Sequence, residues 1–196
     1  MDEDIARIEY LLESRDELIE RLASNSRRER QDASHQLADL ARESPEVAAE
    51  VADELVEALD LPEAQTRWEC LDALSAVALE YPDAVLEGFG GAENALFDEG
   101  SAAVRLSAFR FLSRYGAGAP DRSREAWALM SEAVQCYHGD PEYREMLVCL
   151  LDFAHGDIDD SVRDSLVARM GFDAKNGRGQ IRRYSKAICV AAQEGE

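Results

Sequence analysis

In the stretch EAQTRWECLDALSAVALEYPD, which begins at Glu63, small or aliphatic residues return three, seven and ten positions after Arg67, at Cys70, Leu74 and Val77. Those offsets share one stripe of a 3.6-residue helix, so the pattern predicts a helix opened by the arginine and buried along that stripe. The arrangement recurs around Arg30, Arg105, Arg144 and Arg182, so that the five arginines stand 37, 38, 39 and 38 residues apart. Three residues on come Ala33, Cys70, Ala108, Leu147 and Ser185; seven on come Leu37, Leu74, Leu112, Leu151 and Cys189; ten on come Leu40, Val77, Tyr115, Ala154 and Ala192. A period of this size belongs to two-helix repeats that bury one another's apolar faces.

The second helix of each unit is read from proline. Pro45, Pro82 and Pro120 each lie fifteen residues after their arginine and each precedes an acid. Proline tolerates the first helical position because its missing N–H has no partner there, and an acid behind it meets the positive end of the helix dipole. The stripes Val47, Val51, Leu55, Leu59 and Trp127, Met130, Val134 continue two of these helices. A fourth unit lacks the proline; Asp157 and neighbouring acids are expected to cap its second helix, followed by Val162, Leu166 and Met170. Gly88, Gly90 and Gly91 interrupt the second unit, where a kink, a break or a close helix contact is expected. Upstream, Ile5, Ile8, Leu12, Ile19 and Leu22 form a helical stripe, and Ser14 with Glu17 and Ser26 with Glu29 have capping-box spacing. Such a segment serves as a terminal cap for a repeat array.

The motif V/T-R-x-x-A/C-x-x-x-L, a proline after the first helix and a repeat near 38 residues resemble the HEAT and HEAT-like repeat family over roughly residues 26–192. The resemblance implies an all-α fold, a right-handed α-α superhelix (a HEAT-like or armadillo-type solenoid) of about four helix pairs with N-terminal capping helices and a final C-terminal helix. The expected organisation is a single solenoid domain over 1–196, with a cap at 1–25, repeats at 26–62, 63–100, 101–139 and 140–176, and a C-terminal helix and tail at 177–196. It further implies that Arg30, Arg67, Arg105, Arg144 and Arg182 form a ladder of inter-repeat hydrogen bonds and ion pairs, often with an acid slightly upstream. Glu63 and Asp140 hold that place, four residues before Arg67 and Arg144. Ser26 and Arg178 do not, so the ladder is expected to be incomplete at both ends.

Charge narrows the function. The chain has a formal net charge of -20. Residues 1–168 carry 15 arginines, no lysine and 38 acids, about -23, whereas residues 169–186 carry six cations and one acid, +5. A body of that sign repels nucleic acid at long range. The leading expectation is a non-catalytic protein-interaction scaffold or adaptor that binds a protein partner, a basic segment, on the second-helix acids Glu50, Glu54 and Glu57. Trp68, Arg114, Arg122 and His138 are further partner-binding candidates, because arginine and aromatic residues are enriched at binding hot spots. Trp127 and Tyr115 fall on buried stripes and are assigned to the core. An alternative is a nucleic-acid-binding protein resembling HEAT-like DNA alkylation-repair glycosylases, favoured only by the arginines at 105–124 and the basic C-terminal segment. Similarity to HEAT-like bilin lyases offers a third reading, for which no residue marks a chromophore pocket.

The stretch NGRGQIRRYSK, with Lys175, Arg178, Arg182, Arg183 and Lys186 around Gly177 and Gly179, lacks the ending of a Walker loop. Contact with an anion, pairing with the acidic body and simple solvation all remain open for it. His35, His138 and His155 are the three histidines, and no acid pair has a spacing that singles out catalysis, so no enzyme, catalytic residue, metal site or cofactor is expected. Cys70, Cys136, Cys149 and Cys189 are scattered and read as reduced thiols; the set Cys136, His138, Cys149 and His155 has no recognised zinc spacing. The acidic N-terminus and the lack of a long apolar run lead to an expected cytoplasmic location without a membrane span.

Overall fold

The structure, a computed structural model, describes residues 2–194, with side chains from Tyr10 onward. The proposed stripe positions Ile5 and Ile8 therefore fall outside the described side chains. The described residues form eleven α-helices and two short 3-10 segments, without a strand. No helix among them is long and apolar enough to cross a membrane. The chain divides within one helix into two compact units, Met1–Phe111 and Leu112–Glu196.

The first unit holds α1 (Asp2–Leu22), α2 (Arg27–Glu43), α3 (Pro45–Ala49), α4 (Ala52–Glu57), α5 (Ala64–Val77), α6 (Gly88–Leu96) and most of α7 (Ala102–Gly116). Ser26 caps α2 by accepting the Glu29 amide at 3.4 Å, while Ser14, given the same spacing by the sequence, lies inside an uninterrupted α1. A cap needs unpaired amides beside it, and a mid-helix position has none. The core forms where α2 meets α5: Ala33, Leu37 and Ala38 lie against the helix that carries Cys70, Leu71, Leu74 and Val77, all of them buried. Small residues at offset three let the two axes approach, and burial pushes the Cys70 thiol up.

The stripe Val47, Val51, Leu55, Leu59 is buried as expected, but on three pieces of helix instead of one. Val51 (φ -122, ψ 24) separates α3 from α4, and a 3-10 turn, Ala58–Asp60, follows. Residues four apart drift by about 40° per step on a straight α-helix, so four of them would spread over roughly 120°. The breaks restore their common inward direction. In the next unit Pro82 opens a 3-10 turn, Pro82–Val85, before α6 begins at Gly88. A Cβ on Gly91 would lie 2.7 Å from Leu59 Cδ1, so the glycine allows the close approach of α6 to the Ala58–Asp60 turn.

The second unit begins in the last turns of α7 and continues with α8 (Pro120–Cys136), α9 (Tyr143–Ala154), α10 (Asp160–Asn176) and α11 (Gly179–Glu194). Its core joins Trp127, Met130 and Val134 of α8 to Met146, Leu147, Leu150 and Phe153 of α9, Leu166 and Met170 of α10, and Ile188 of α11. Trp127 donates its indole N–H to Ser165 Oγ at 2.9 Å, which makes a large ring tolerable in the interior. Asp159, one of the acids expected to cap α10, does so by accepting the Ser161 amide at 2.9 Å, while the Asp157 amide donates to Ala117 O at 2.8 Å. That bond draws the turn after α9 against the chain after α7 so closely that a Cβ on Gly156 would collide with the Ala117 backbone.

The buried stripe turns as the repeats proceed. In α2 the buried residues stand at offsets 3, 4, 7, 8, 10 and 11 from Arg30, whereas in α11 they stand at 3, 6, 9 and 10 from Arg182. Leu151 and Cys189, at offset seven, are only half-buried, and Leu150 and Ile188 take the inner places. A shift of about one residue rotates the arginine position away from the interior.

Candidate functional site

The second-helix segment of the first unit builds an acidic wall. Between Pro45 and Asp60 the residues left in solvent include six acids, and the segment contains no base. Glu50, Glu54 and Glu57 are all exposed. Glu54 and Glu57, with Ala58 and Leu61, face Ile19, Leu22 and Ala23 at the end of α1 across a cavity of ≈ 190 Å³. Its floor is aliphatic and its rim is anionic. Neither Glu54 nor Glu57 has an ion-pair partner among the described residues, whereas Glu50 is held by Arg15 of α1. Arg15, which also pairs with its neighbour Asp16 at 2.7 Å, ties α1 to the start of this wall through Glu50.

Arg30 reaches an acid of the following repeat, and Arg67 an acid at the far end of its own. Arg30, with 14% of its side chain exposed, grips both carboxylate oxygens of Glu63, itself 8% exposed, and donates to Ser24 O at 2.8 Å. Arg67 bonds Asp98 at 2.6 Å. Arg105 donates to Asp98 O at 2.8 Å. The Glu63 carboxyl is lowered chiefly by its hydrogen bond from Arg30; for Asp98, burial pushes the carboxyl up but Arg67 outweighs it and the net shift is downward. Arg144 is 56% exposed and pairs with its neighbour Glu145, and Arg182 is exposed with no carboxylate partner among the described residues. The stripe rotation described above accounts for both. Glu63 thus serves the arginine of the repeat before it, while Asp98, which the motif does not mark, serves Arg67 from the end of the same repeat, where its carbonyl also accepts from Arg105.

The remaining candidates are dispersed. Trp68 is half-buried on α5 beside Arg67, and Arg114 is exposed in the last turn of α7. Arg122 is half-buried, donates to Tyr115 O at 3.1 Å and lies 5.5 Å from the centre of the Tyr115 ring, so its charge faces the carbonyl end of α7. His138 Nε2 lies 3.0 Å from Asp173 Oδ2, and the Tyr143 hydroxyl donates to the same oxygen at 3.1 Å. Burial, then the charge and hydrogen bond of Asp173, push the Tyr143 phenol up. This cluster beside the α8–α9 turn borders a cavity of ≈ 320 Å³ with Val134, Met170 and Phe172.

Sequence inspection did not find Asp98, Asp173, or Arg163, whose guanidinium donates to Ala154 O and Gly156 O at 3.2 and 2.8 Å and closes the C-terminus of α9. A usable signal existed. Trp127 reaches Ser165, Arg110 reaches Asp72 and Arg169 reaches Ser131, each 38 residues away. Polar partners in a repeat array lie about one period apart. Among the described residues no group of three or more His, Cys, Asp or Glu is placed to hold a metal ion.

No protein-family model matches the chain, and no curated protein matches it. Solved structures do. A designed armadillo repeat protein in complex with the peptide (KR)4 is 16% identical, with a TM-score of 0.74 over 89% of this chain and 80% of that one. An engineered protein is 17% identical, with a TM-score of 0.72 over 91% and 78%. A computationally designed armadillo repeat protein for modular peptide recognition is 16% identical, with a TM-score of 0.70 over 89% and 80%. At these identities the likeness concerns the fold. This chain adopts a HEAT/armadillo-like α-solenoid fold, an all-α superhelix.

Proposed function

We propose that this chain is a non-catalytic peptide-binding scaffold, and that the groove between the end of α1 and α4 takes a basic segment of a partner protein. The observation that carries the reading is the pair Glu54 and Glu57, exposed and without counter-ions among the described residues, on the rim of an aliphatic floor made by Ile19, Leu22 and Leu61. A lysine or arginine suits both parts: its methylene stem covers the floor while its charged head meets the carboxylates. A designed armadillo repeat protein that shares the fold was solved with the basic peptide (KR)4, which supports this class of ligand. The acidic body adds a long-range pull on a cationic segment, raising its association rate at low salt.

The test is a fluorescence-anisotropy titration of a labelled (Lys-Arg)4 peptide at 50 and 300 mM salt. Each exposed contact contributes on the order of 0.5 kcal/mol and its reversal costs a similar amount, so Glu54→Lys with Glu57→Lys removes about 2 kcal/mol, roughly 30-fold in Kd. Absence of binding at 50 mM salt, or an unchanged Kd in the double variant, refutes the assignment.

A further inference from the structure

A surface of opposite character lies in the second unit. α10 and α11 form a helical hairpin joined by Gly177 and Arg178, and the Cys189 thiol reaches back to Val167 O at 3.9 Å. Between them runs a groove of ≈ 630 Å³ with Val167, Ala168, Gly171 and Phe172 on one wall and Cys189 and Gln193 on the other. Phe172 is 72% exposed and Val190 50%, and they are the large hydrophobic residues of this unit that stand in solvent among the described residues. Burying such rings and branched chains is the ordinary driving force for docking.

Lys175 lines this groove, and further unneutralised cations stand on the same hairpin. Arg169, Lys175, Arg178, Arg182, Arg183 and Lys186 are all exposed, and none is paired with a carboxylate among the described residues. Arg169 donates only to the neutral groups Ser131 Oγ and Gln135 Oε1, at 3.0 and 3.4 Å. Elsewhere Arg15, Arg21, Arg30, Arg42, Arg67, Arg110, Arg124 and Arg144 each hold an acid, and Arg122 and Arg163 hold backbone carbonyls. Asp173, the single acid of the segment, is 7% exposed and committed to His138 and Tyr143, so it offers the cations nothing.

The placement is polarised along the hairpin. Arg182, Lys186, Cys189 and Gln193 are spaced 4, 3 and 4 residues apart and share one stripe of α11, while Gly171 and Lys175 share one on α10. Because the helices run in opposite directions, Lys175, Arg178, Arg182 and Lys186 gather at the turn, and beyond them the apolar wall from Phe172 back to Val167 spans roughly 7.5 Å, about a turn and a half. We propose that this groove docks an acidic amphipathic segment of a partner protein, its carboxylates at the α10–α11 turn and its apolar residues between the two helices beside Phe172. The local extent of these cations limits the length of that anion. Charges beyond a Debye length of about 8 Å are screened, so a short acidic segment held at the turn feels the cations fully, and the further charges of a longer polyanion gain little from them. An apolar floor also matches aliphatic and aromatic anchors better than a sugar-phosphate chain.

The inference is independent of the basic-peptide groove, which lies in the other unit and has the opposite charge. The probe is a fluorescein-labelled twelve-residue helical peptide with Leu or Phe at every third and fourth position and Glu elsewhere, titrated into the full chain at 50 mM salt. An oligo-Glu peptide of equal length and a twelve-nucleotide oligothymidine serve as competitors. The amphipathic peptide is expected to bind at least tenfold tighter than either. Arg182→Glu with Lys186→Glu weakens it at least tenfold and Phe172→Ala several-fold, without altering the thermal melt, because all three side chains are exposed. Glu54→Lys with Glu57→Lys leaves it within twofold. Equal affinity for oligo-Glu, or insensitivity to the Arg182 and Lys186 substitutions, overturns the proposal; tighter binding of oligothymidine replaces it with a nucleic-acid site. Self-association in sedimentation velocity that the same double substitution abolishes replaces the partner with a second copy of the chain.

Discussion

Removing Arg30 tests whether the repeat arginines hold neighbouring helices together or merely decorate them. Arg30 and Glu63 are 14% and 8% exposed, and the guanidinium also satisfies Ser24 O. A solvent-exposed pair contributes about 0–1 kcal/mol, and breaking a buried pair costs about 3–5. With this intermediate burial, Arg30→Ala is expected to lose about 2–4 kcal/mol, because it strands the Glu63 carboxylate in addition to removing a bond. Glu63→Gln keeps a neutral acceptor and loses about 1–2 kcal/mol. Their combination is less damaging than the sum, with a coupling energy of about 1–2 kcal/mol in a double-mutant cycle followed by urea unfolding and circular dichroism. Acid sharpens the assay. Arg30 lowers the Glu63 carboxyl below its ordinary value near 4.3, so the stabilisation is complete above that pH and is lost as pH falls through the lowered value. The coupling energy should therefore vanish in strong acid. Coupling below about 0.5 kcal/mol at neutral pH refutes the reasoning and makes Arg30–Glu63 an ordinary surface bridge.

Other substitutions probe the second unit. Gly156→Ala is expected to cost about 1–3 kcal/mol or more in urea unfolding, since the new Cβ meets the Ala117 backbone, which has no rotamer by which to yield; an unchanged midpoint contradicts the close approach. Tyr143→Phe removes the phenolic donor to the buried Asp173 carboxylate and should lose about 1–3 kcal/mol, whereas a loss under about 0.5 kcal/mol would mean that solvent replaces the hydroxyl. Glu63→Gln should also flatten the acid limb of the pH–stability profile, and equal limbs in variant and parent would deny Glu63 a lowered carboxyl.

Much of the fold could be read from offsets. Ala33, Leu37, Cys70 and Leu74 are buried because a helical stripe needs only local sequence to declare itself, and Pro45 and Pro120 open helices because proline acts on its own backbone. Phase was harder. The drift that exposes Arg144 and Arg182 arises from packing between helices, and a motif that fixes the arginine at offset zero does not encode it. Asp98 was missed because the link from α6 to α7 has its own length and sets the acid 31 residues after Arg67, where Glu63 is 33 after Arg30. Arg122, read as a surface contact from its type, faces the carbonyl end of α7, a role decided by the loop before α8. The acidic wall was legible at Glu50, Glu54 and Glu57. Its aliphatic floor was not, because Ile19 and Leu22 come from α1, and only tertiary structure brings them to α4.

Backbone hydrogen exchange, recorded with and without saturating (Lys-Arg)4 peptide, tests the binding assignment most directly because it locates the ligand without any substitution. The account predicts added protection in the end of α1 and in α3 and α4, with α10 and α11 unchanged. Protection centred on the second unit, or none in the first, would contradict it.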